Sequence, residues 1–197
     1  MEEKETREDL LASTEQLEKE LARVDYKKRF HRALRRTVYA LVVAAAVSVL
    51  VASLFLPVLR IYGSSMAPTV EAGDIVVSLK KREYLPGDVV ALYYENRILV
   101  KRIVAGEFDT VELDADGNFR INGTPLDEPY LAAKDFGDNT DISFPFQVPE
   151  DSYFVCGDNR KESVDSRSSS VGCISSEELV GEIVFSVWPW RRIGKIH

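Results

Sequence analysis

Histidine is almost absent from this chain of 197 residues. One histidine, His31, precedes a long apolar run, and the other, His197, is the last residue. Neither is placed where a folded domain would easily hold it against a nucleophile. A Ser-His-Asp triad and a histidine-ligated zinc site are therefore disfavoured. The sequence predicts neither a metal nor a cofactor.

Cysteine is nearly as scarce, with Cys156 and Cys173 as the two examples. Both follow the apolar run, and an oxidising exterior would permit a disulfide between them. Two free buried thiols fit the sequence equally well, because spacing alone does not show that two β-carbons meet. Both states stay open.

Positive charge is also in short supply after the apolar run. Residues 60–197 contain 15 basic and 23 acidic residues, a net charge of −8. Nucleic-acid binding domains are usually basic, so this balance argues against a nucleic-acid partner.

A long uncharged segment, Thr37 to Leu59, is rich in Val, Ala and Leu. As a helix its 23 residues would extend roughly 35 Å, enough to cross a hydrocarbon core of about 30 Å. A cleaved signal peptide is the rival, but its apolar part usually has only about 7–15 residues. The length favours an uncleaved anchor in the lipid bilayer.

The charges beside this segment predict its orientation. Six basic residues precede it closely, and Arg60 is the one charge close to its other end; the six are Lys27, Lys28, Arg29, Arg32, Arg35 and Arg36. Positive residues favour the cytoplasmic side. The expected organisation is a cytoplasmic tail at 1–36, a transmembrane helix at 37–59 and an extracytoplasmic domain at 60–197. Residues 1–25 fit an amphipathic helix or a solvated tail.

The outer domain has the pattern of a β-rich protein. Two turn signals, Glu95-Asn96 and Asp116-Gly117, each separate two strand-like runs. The segment 124–150 reads as a long surface loop, and 175–179 as a helical turn. The sequence predicts a mainly β fold, a compact antiparallel sheet or barrel-like domain. Strands are expected at 75–77, 89–94, 97–104, 111–113, 118–121, 153–156 and 180–187.

A candidate nucleophile lies just beyond the apolar run. Ser65 belongs to Gly63–Thr69, a loop bounded by glycine and proline. Serine needs a base to become nucleophilic, and where no histidine is available the known substitute is a neutral lysine.

One lysine of the outer domain differs from the others. Lys101 lies in an apolar strand, where alternation places it on the same face as Leu99 and Ile103. An apolar setting lowers the pKa of a lysine. A useful base near neutrality requires a fall of about 3 units, or about 4 kcal/mol. The alternative is an edge lysine whose amine reaches water.

A polar segment, Gly157–Arg167, directly follows another apolar strand. By itself it reads as a turn built from hydrogen bonds and ion pairs. In order along the chain, Gly63–Thr69, Gly73–Val76, Val100–Arg102 and this segment resemble the conserved boxes of bacterial type I signal peptidases. The resemblance is to the Ser/Lys branch, and it covers roughly residues 37–197.

The resemblance implies a membrane-bound serine endopeptidase. It would remove N-terminal signal peptides from exported preproteins after an Ala-x-Ala site, close to the export machinery at the plasma membrane. Ser65 would attack the scissile carbonyl, and Lys101 would act as the general base. The supporting residues it implies are Ser163, which orients the lysine, and the ion pairs Asp165–Arg167 and Asp158–Arg102.

The resemblance also implies a substrate groove between residues 59–62 and 96–100. An extended signal peptide would lie there as an added strand, with Ile61, Met66 and Val100 lining its pockets. The backbone N–H of Ser65 would stabilise the oxyanion. Some family members supply a second donor from a serine where this chain has Gly63. A backbone group, water or Ser64 would have to replace it.

Two rival functions stay open. A membrane-anchored β-domain could act as a receptor or scaffold without chemistry, and a self-cleaving repressor-type protease would share the Ser/Lys pair. A transmembrane anchor argues against the second. Trp188 and Trp190, beside Arg191 and Arg192, suit a lipid headgroup interface, with ordinary burial as the alternative.

Overall fold

The structure is a computed structural model that describes residues 29–51 and 56–196. Helix α1 occupies Arg29–Val51, and it is long and apolar enough to cross a membrane. Its side chains are exposed, as expected of a helix whose apolar surface contacts lipid. The expectations for residues 1–25 lie outside the described residues.

The predicted transmembrane span does not match the helix at its C-terminal end. Leu59 belongs to strand β1, Val58–Arg60, which pairs with a strand of the outer domain. Pro57 precedes this strand, and proline cannot donate the hydrogen bond that would continue a helix. The apolar run therefore ends inside the folded domain. The end of the span was predicted wrongly because hydropathy does not distinguish a membrane helix from a buried or half-buried strand.

The outer domain consists of short strands. Beyond β1 these are β2 (Ile75–Leu79), β3 (Val89–Tyr94), β4 (Arg97–Ala105), β5 (Thr110–Leu113), β6 (Phe119–Ile121), β7 (Thr124–Pro125), β8 (Phe146–Gln147), β9 (Ser152–Cys156), β10 (Ile174–Ser175), β11 (Leu179–Trp188) and β12 (Gly194–Lys195). Short 3-10 helices occupy Ser176–Glu178 and Trp190–Arg192.

The strands form two antiparallel sheets. The eight-stranded sheet has the order β1-β2-β11-β3-β4-β9-β10, with β12 paired to β11. The four-stranded sheet has the order β7-β6-β5-β8. Each strand pair in the described residues is antiparallel, so the predicted mainly β fold is confirmed.

Both predicted hairpins are present. Glu95-Asn96 connects β3 to β4 in register, and Glu95 takes a φ of 53°. Gly117 takes a φ of 81° between β5 and β6, a conformation that glycine adopts without strain. The first hairpin fixes the register of β4, and thus which of its side chains point inward.

The segment 124–150 is not only a surface loop. It contributes β7, β8 and two buried side chains, Glu128 and Val148. Val148 joins the core beneath the four-stranded sheet, together with Phe119 and Phe154. The prediction of a surface loop failed because proline and polar residues indicate irregular backbone without showing whether it is exposed. In this segment the irregular backbone packs against the core.

Candidate active site

Ser65 lies on the loop that connects β1 to β2. Two apolar side chains of this loop, Met66 and Val70, are buried in the core. The Val70 N–H donates to the Met66 carbonyl at 3.1 Å, which closes a turn. Ser65 itself is half-buried and lines a cavity. Packing thus holds the loop while its serine remains accessible.

Lys101 is buried in the middle of β4, with 3% of its surface exposed. Its Nζ donates to Ser163 Oγ at 2.8 Å. Burial lowers the pKa of Lys101 below its ordinary value, and the carboxylate of Asp165 offsets part of that effect. The burial contradicts the alternative of an edge lysine that reaches water. It favours the neutral amine that a general base requires.

Gly157 brings the two halves of the site together. A β-carbon at this position would collide with Ser163 Oγ and with the backbone carbonyl of Ser65. Glycine is therefore required for the close approach. The backbone carbonyl of Ser65 and the hydroxyl that holds Lys101 consequently both lie against Gly157, in the space that a side chain would occupy.

Ser65 and Lys101 line the same cavity, of about 380 Å³. Within the described residues no hydrogen bond joins Ser65 Oγ to Lys101 Nζ, and the amine donates to Ser163 Oγ instead. Catalytic hydrogen bonds often form fully only when substrate is bound. A peptide bond that enters this cavity would meet both groups.

Two buried ion pairs shape the loop around Ser163. The Arg102 guanidinium binds Asp158 in a bidentate manner at 2.9 and 2.8 Å. Arg167 binds Asp165 in the same way, with both distances at 2.9 Å. Burial opposes the ionisation of Asp165, yet Arg167 holds the pKa of this carboxyl below its usual range. Removing one partner of such a pair typically costs about 3–5 kcal/mol.

A groove of about 560 Å³ runs from Ser65 between two strand edges. One wall is residues 59–63 with 65 and 66, and the other is residues 97–100. Strand β1 pairs only with β2, and residues 97–101 of β4 pair only with β3 in the described residues. The facing edges thus carry free backbone groups, as a peptide that adds a strand requires. The pocket residues named from sequence, Ile61, Met66 and Val100, all line this groove.

A family model decides the identity of the chain. The model of the family described as "Signal peptidase, peptidase S26" matches residues 34–188. The chain belongs to this signal peptidase family.

Two curated relatives support the same family assignment. Signal peptidase I of Bacillus amyloliquefaciens is 34% identical over 166 residues, covering 79% of this chain and 89% of the relative. Signal peptidase I S of Bacillus subtilis (strain 168) is 34% identical over 167 residues, covering 79% and 90%. A solved signal peptidase I from Enterococcus faecalis V583 superposes with a TM-score of 0.44 at 28% identity, covering 52% of this chain and 97% of that one.

Family membership establishes a serine peptidase that cleaves signal peptides, and it replaces the receptor or scaffold reading. With helix α1 it also indicates that the protein is anchored in a membrane. The fold thus serves hydrolysis of a peptide bond.

One buried pair of this signal peptidase was not predicted. Glu128 Oε1 accepts a hydrogen bond from Arg160 Nη2 at 2.6 Å, and both residues are buried. Arg160 Nε also donates to the Gly157 carbonyl at 3.0 Å, and its guanidinium lies 4.9 Å from the ring centre of Phe119. Arg160 belongs to the polar segment Gly157–Arg167, and this was the sequence signal that could have identified it. Its partner Glu128 belongs to the segment 124–150, which was predicted to be a surface loop.

Some family members have an oxyanion donor on a serine two places before the nucleophile, and this chain has Gly63 at that position. Gly63 has a φ of 90°, a conformation that a serine would adopt only with strain. The Ser64 hydroxyl donates to Glu162 Oε2 at 2.9 Å, so it is already engaged. The Ser65 N–H donates to no acceptor in the described part of the chain. It is therefore available to donate to an oxyanion.

Both cysteines of this signal peptidase are free thiols. Cys156 is buried, and burial raises its pKa strongly. Burial also raises the pKa of Cys173, to about 11. The sequence left open a disulfide or two free thiols, and the structure shows two free thiols. Neither thiol is poised to act as a thiolate nucleophile near neutrality.

Proposed function

We propose that Ser65 and Lys101 form a catalytic dyad that cleaves signal peptides after an Ala-x-Ala site through an acyl-enzyme. One observation carries the proposal. The amine of Lys101 is buried, is held by Ser163 and lines the same cavity as Ser65. A buried amine without a carboxylate bound to it is suited to accept a proton, which an exposed lysine is not.

The reaction would proceed in two stages. Neutral Lys101 takes the proton of Ser65 Oγ as this oxygen attacks the scissile carbonyl, and the Ser65 N–H stabilises the oxyanion. The ammonium of Lys101 then protonates the leaving amine as the C–N bond breaks, which leaves an ester on Ser65. Lys101 next takes a proton from water as the water oxygen attacks the ester carbonyl. The ester C–O bond then breaks, the ammonium of Lys101 returns its proton to Ser65 Oγ, and the signal peptide leaves with a new C-terminal carboxyl group.

The two cavities support a direction for the substrate. Ser65 lines both of them, whereas Lys101 lines only the 380 Å³ cavity. Because Lys101 must protonate the leaving amine, the residues that follow the cleavage point belong in that cavity. The residues before the cleavage point then lie in the 560 Å³ groove.

The groove also supports a preference for small side chains before the cleavage point. An extended peptide between the edges of β1 and β4 would direct alternate side chains toward the enzyme. Ile61 and Met66 are buried and Val100 is half-buried, so the apolar floor is already filled. Alanine at alternate positions fits such a floor, in agreement with Ala-x-Ala.

We propose that the N-terminus is cytoplasmic and that the catalytic domain is extracytoplasmic, near the export machinery. The basic residues at the start of α1 support this orientation. A cysteine introduced at Glu150, which is exposed, in a Cys173→Ser background should react with an impermeant maleimide added outside intact cells. Protection of this cysteine until the cells are lysed would reverse the orientation.

The proposed function is tested by preprotein cleavage with the detergent-solubilised full chain. Ser65→Ala and Lys101→Ala should each abolish detectable cleavage, and so should Lys101→Arg, because arginine stays protonated. Lys80→Ala, at an exposed lysine, is the matched control and should retain full activity. Cleavage by Ser65→Ala or Lys101→Arg at the unmodified rate would show that other residues carry the reaction.

A further inference from the structure

Glu162 connects the nucleophile loop to the loop that holds Ser163. It occupies a position that the family resemblance leaves unspecified, and its side chain is exposed beside the 380 Å³ cavity. One carboxylate oxygen, Oε2, accepts hydrogen bonds from Ser64 Oγ at 2.9 Å and from Asn159 Nδ2 at 3.1 Å. Glu162 therefore binds the residue before the nucleophile.

Asn159 completes this connection. Its backbone N–H donates to the Ser65 carbonyl at 3.0 Å. Its side-chain Nδ2 donates to the Ser64 carbonyl at 3.4 Å, in addition to the bond with Glu162. Both carbonyls that flank the nucleophile's backbone are thus held by one residue, whose side chain Glu162 in turn fixes.

These bonds determine where the Ser65 N–H points. The peptide between Ser64 and Ser65 is planar, so holding its carbonyl also fixes the opposite N–H. The Ala67 N–H also donates to the Ser64 carbonyl, at 3.0 Å. The Ser65 N–H, with no acceptor in the described residues, is left free to bind an oxyanion.

We propose that Glu162 is a positioning residue for the reaction, which acts with Asn159 to aim the Ser65 N–H at the developing oxyanion. The inference rests on the proposed role of Ser65 as nucleophile. It accounts for activity without a hydroxyl at position 63, because the backbone donor of Ser65 must then be held firmly. Glu162 contributes as a hydrogen-bond acceptor, and its charge is secondary.

The groups around Lys101 distinguish positioning by Glu162 from an effect of the Glu162 charge on the pKa of Lys101. The pKa of Lys101 is set by burial and by Asp165, Cys156, Arg167 and Asp158. Glu162 is exposed, so solvent and salt screen its charge. Replacing it should leave the pH dependence of cleavage in place.

The test compares the full chain with Glu162→Ala, Glu162→Gln and the control Lys161→Ala, an exposed neighbour. Glu162→Ala should lower kcat roughly tenfold with KM within about twofold, since the loss of two ordinary hydrogen bonds costs an amount of that order. Glu162→Gln should retain at least about half of kcat, because its amide oxygen can accept the same two bonds. The pH midpoint of kcat/KM should be unchanged.

A second variant, Ser64→Ala, tests the same hydrogen-bond network in case Glu162→Ala does not fold. Ser64→Ala removes only the hydroxyl, and the double variant with Glu162→Ala should be no slower than Glu162→Ala alone, because both belong to one network. Unchanged kcat in Glu162→Ala, equal loss in Glu162→Gln, a shifted pH midpoint or fully additive losses would each overturn the proposal. Ser65→Ala is assayed beside them: if it is inactive while Glu162→Ala is normal, only the positioning role fails.

Discussion

Lys101 was identifiable from the sequence because it stands alone in an apolar strand, and because neither His31 nor His197 is placed to act as the base. Its hydrogen bond to Ser163 spans 62 residues of sequence, and the contact of Glu162 with Ser64 spans 98. Spacing and alternation act over a few residues, so they predict the burial of a lysine without predicting its partners. The family resemblance supplied Ser163, and nothing in the sequence supplied Glu162.

Gly157 provides a test at the scale of one residue. Gly157→Ala should lower kcat at least about tenfold, because the new methyl group must displace Ser163 Oγ or the Ser65 carbonyl. Gly194→Ala is the matched control, since no atom lies within 4 Å of its added carbon. Steady-state kinetics on both, with circular dichroism to verify folding, would decide. Normal kcat in Gly157→Ala would mean that the close approach is not needed.

At the scale of strands, alternation and turn residues predicted the central hairpin well. Strand β4 was expected at 97–104 and occupies Arg97–Ala105. Strand β1 was hidden, because Val58 and Leu59 continue the apolar run of the anchor. Strands β8, β10 and β12 have two residues each and depend on pairing with distant strands, which no local pattern reports.

The groove between β1 and β4 can be tested through Val100. Val100→Trp should raise KM for an Ala-x-Ala preprotein about tenfold or more, because the larger ring would occupy the space of a substrate side chain. Thr124→Trp, on the exposed strand β7 of the other sheet, is the control and should leave KM unchanged. An unchanged KM in Val100→Trp would place the signal peptide elsewhere.

At the scale of the whole molecule, charge and hydropathy predicted an acidic domain joined to a basic-flanked helix. Burial was the alternative for the tryptophans, and Trp188 and Trp190 are instead 48% and 78% exposed. Exposed tryptophan beside arginine favours the headgroup region of a bilayer, which stays a prediction.

The fluorescence of the protein can test this contact, because the chain contains only these two tryptophans. In vesicles with lipids brominated near the headgroup, the emission of the full chain should be quenched. Trp190→Phe should show which ring contributes more of that quenching. Emission that is identical in brominated and ordinary lipid would exclude contact with the bilayer.

The central claim is that a neutral, buried Lys101 activates Ser65. The most direct measurement is an NMR titration of the Lys101 Nζ signal in the full chain labelled with ¹⁵N-lysine, assigned with Lys101→Arg. The midpoint should fall below the ordinary lysine value of 10.5, and kcat/KM should rise with pH through that same midpoint as the amine loses its proton. A Lys101 amine that titrates at or above the ordinary value, in an enzyme fully active near neutrality, would contradict the account.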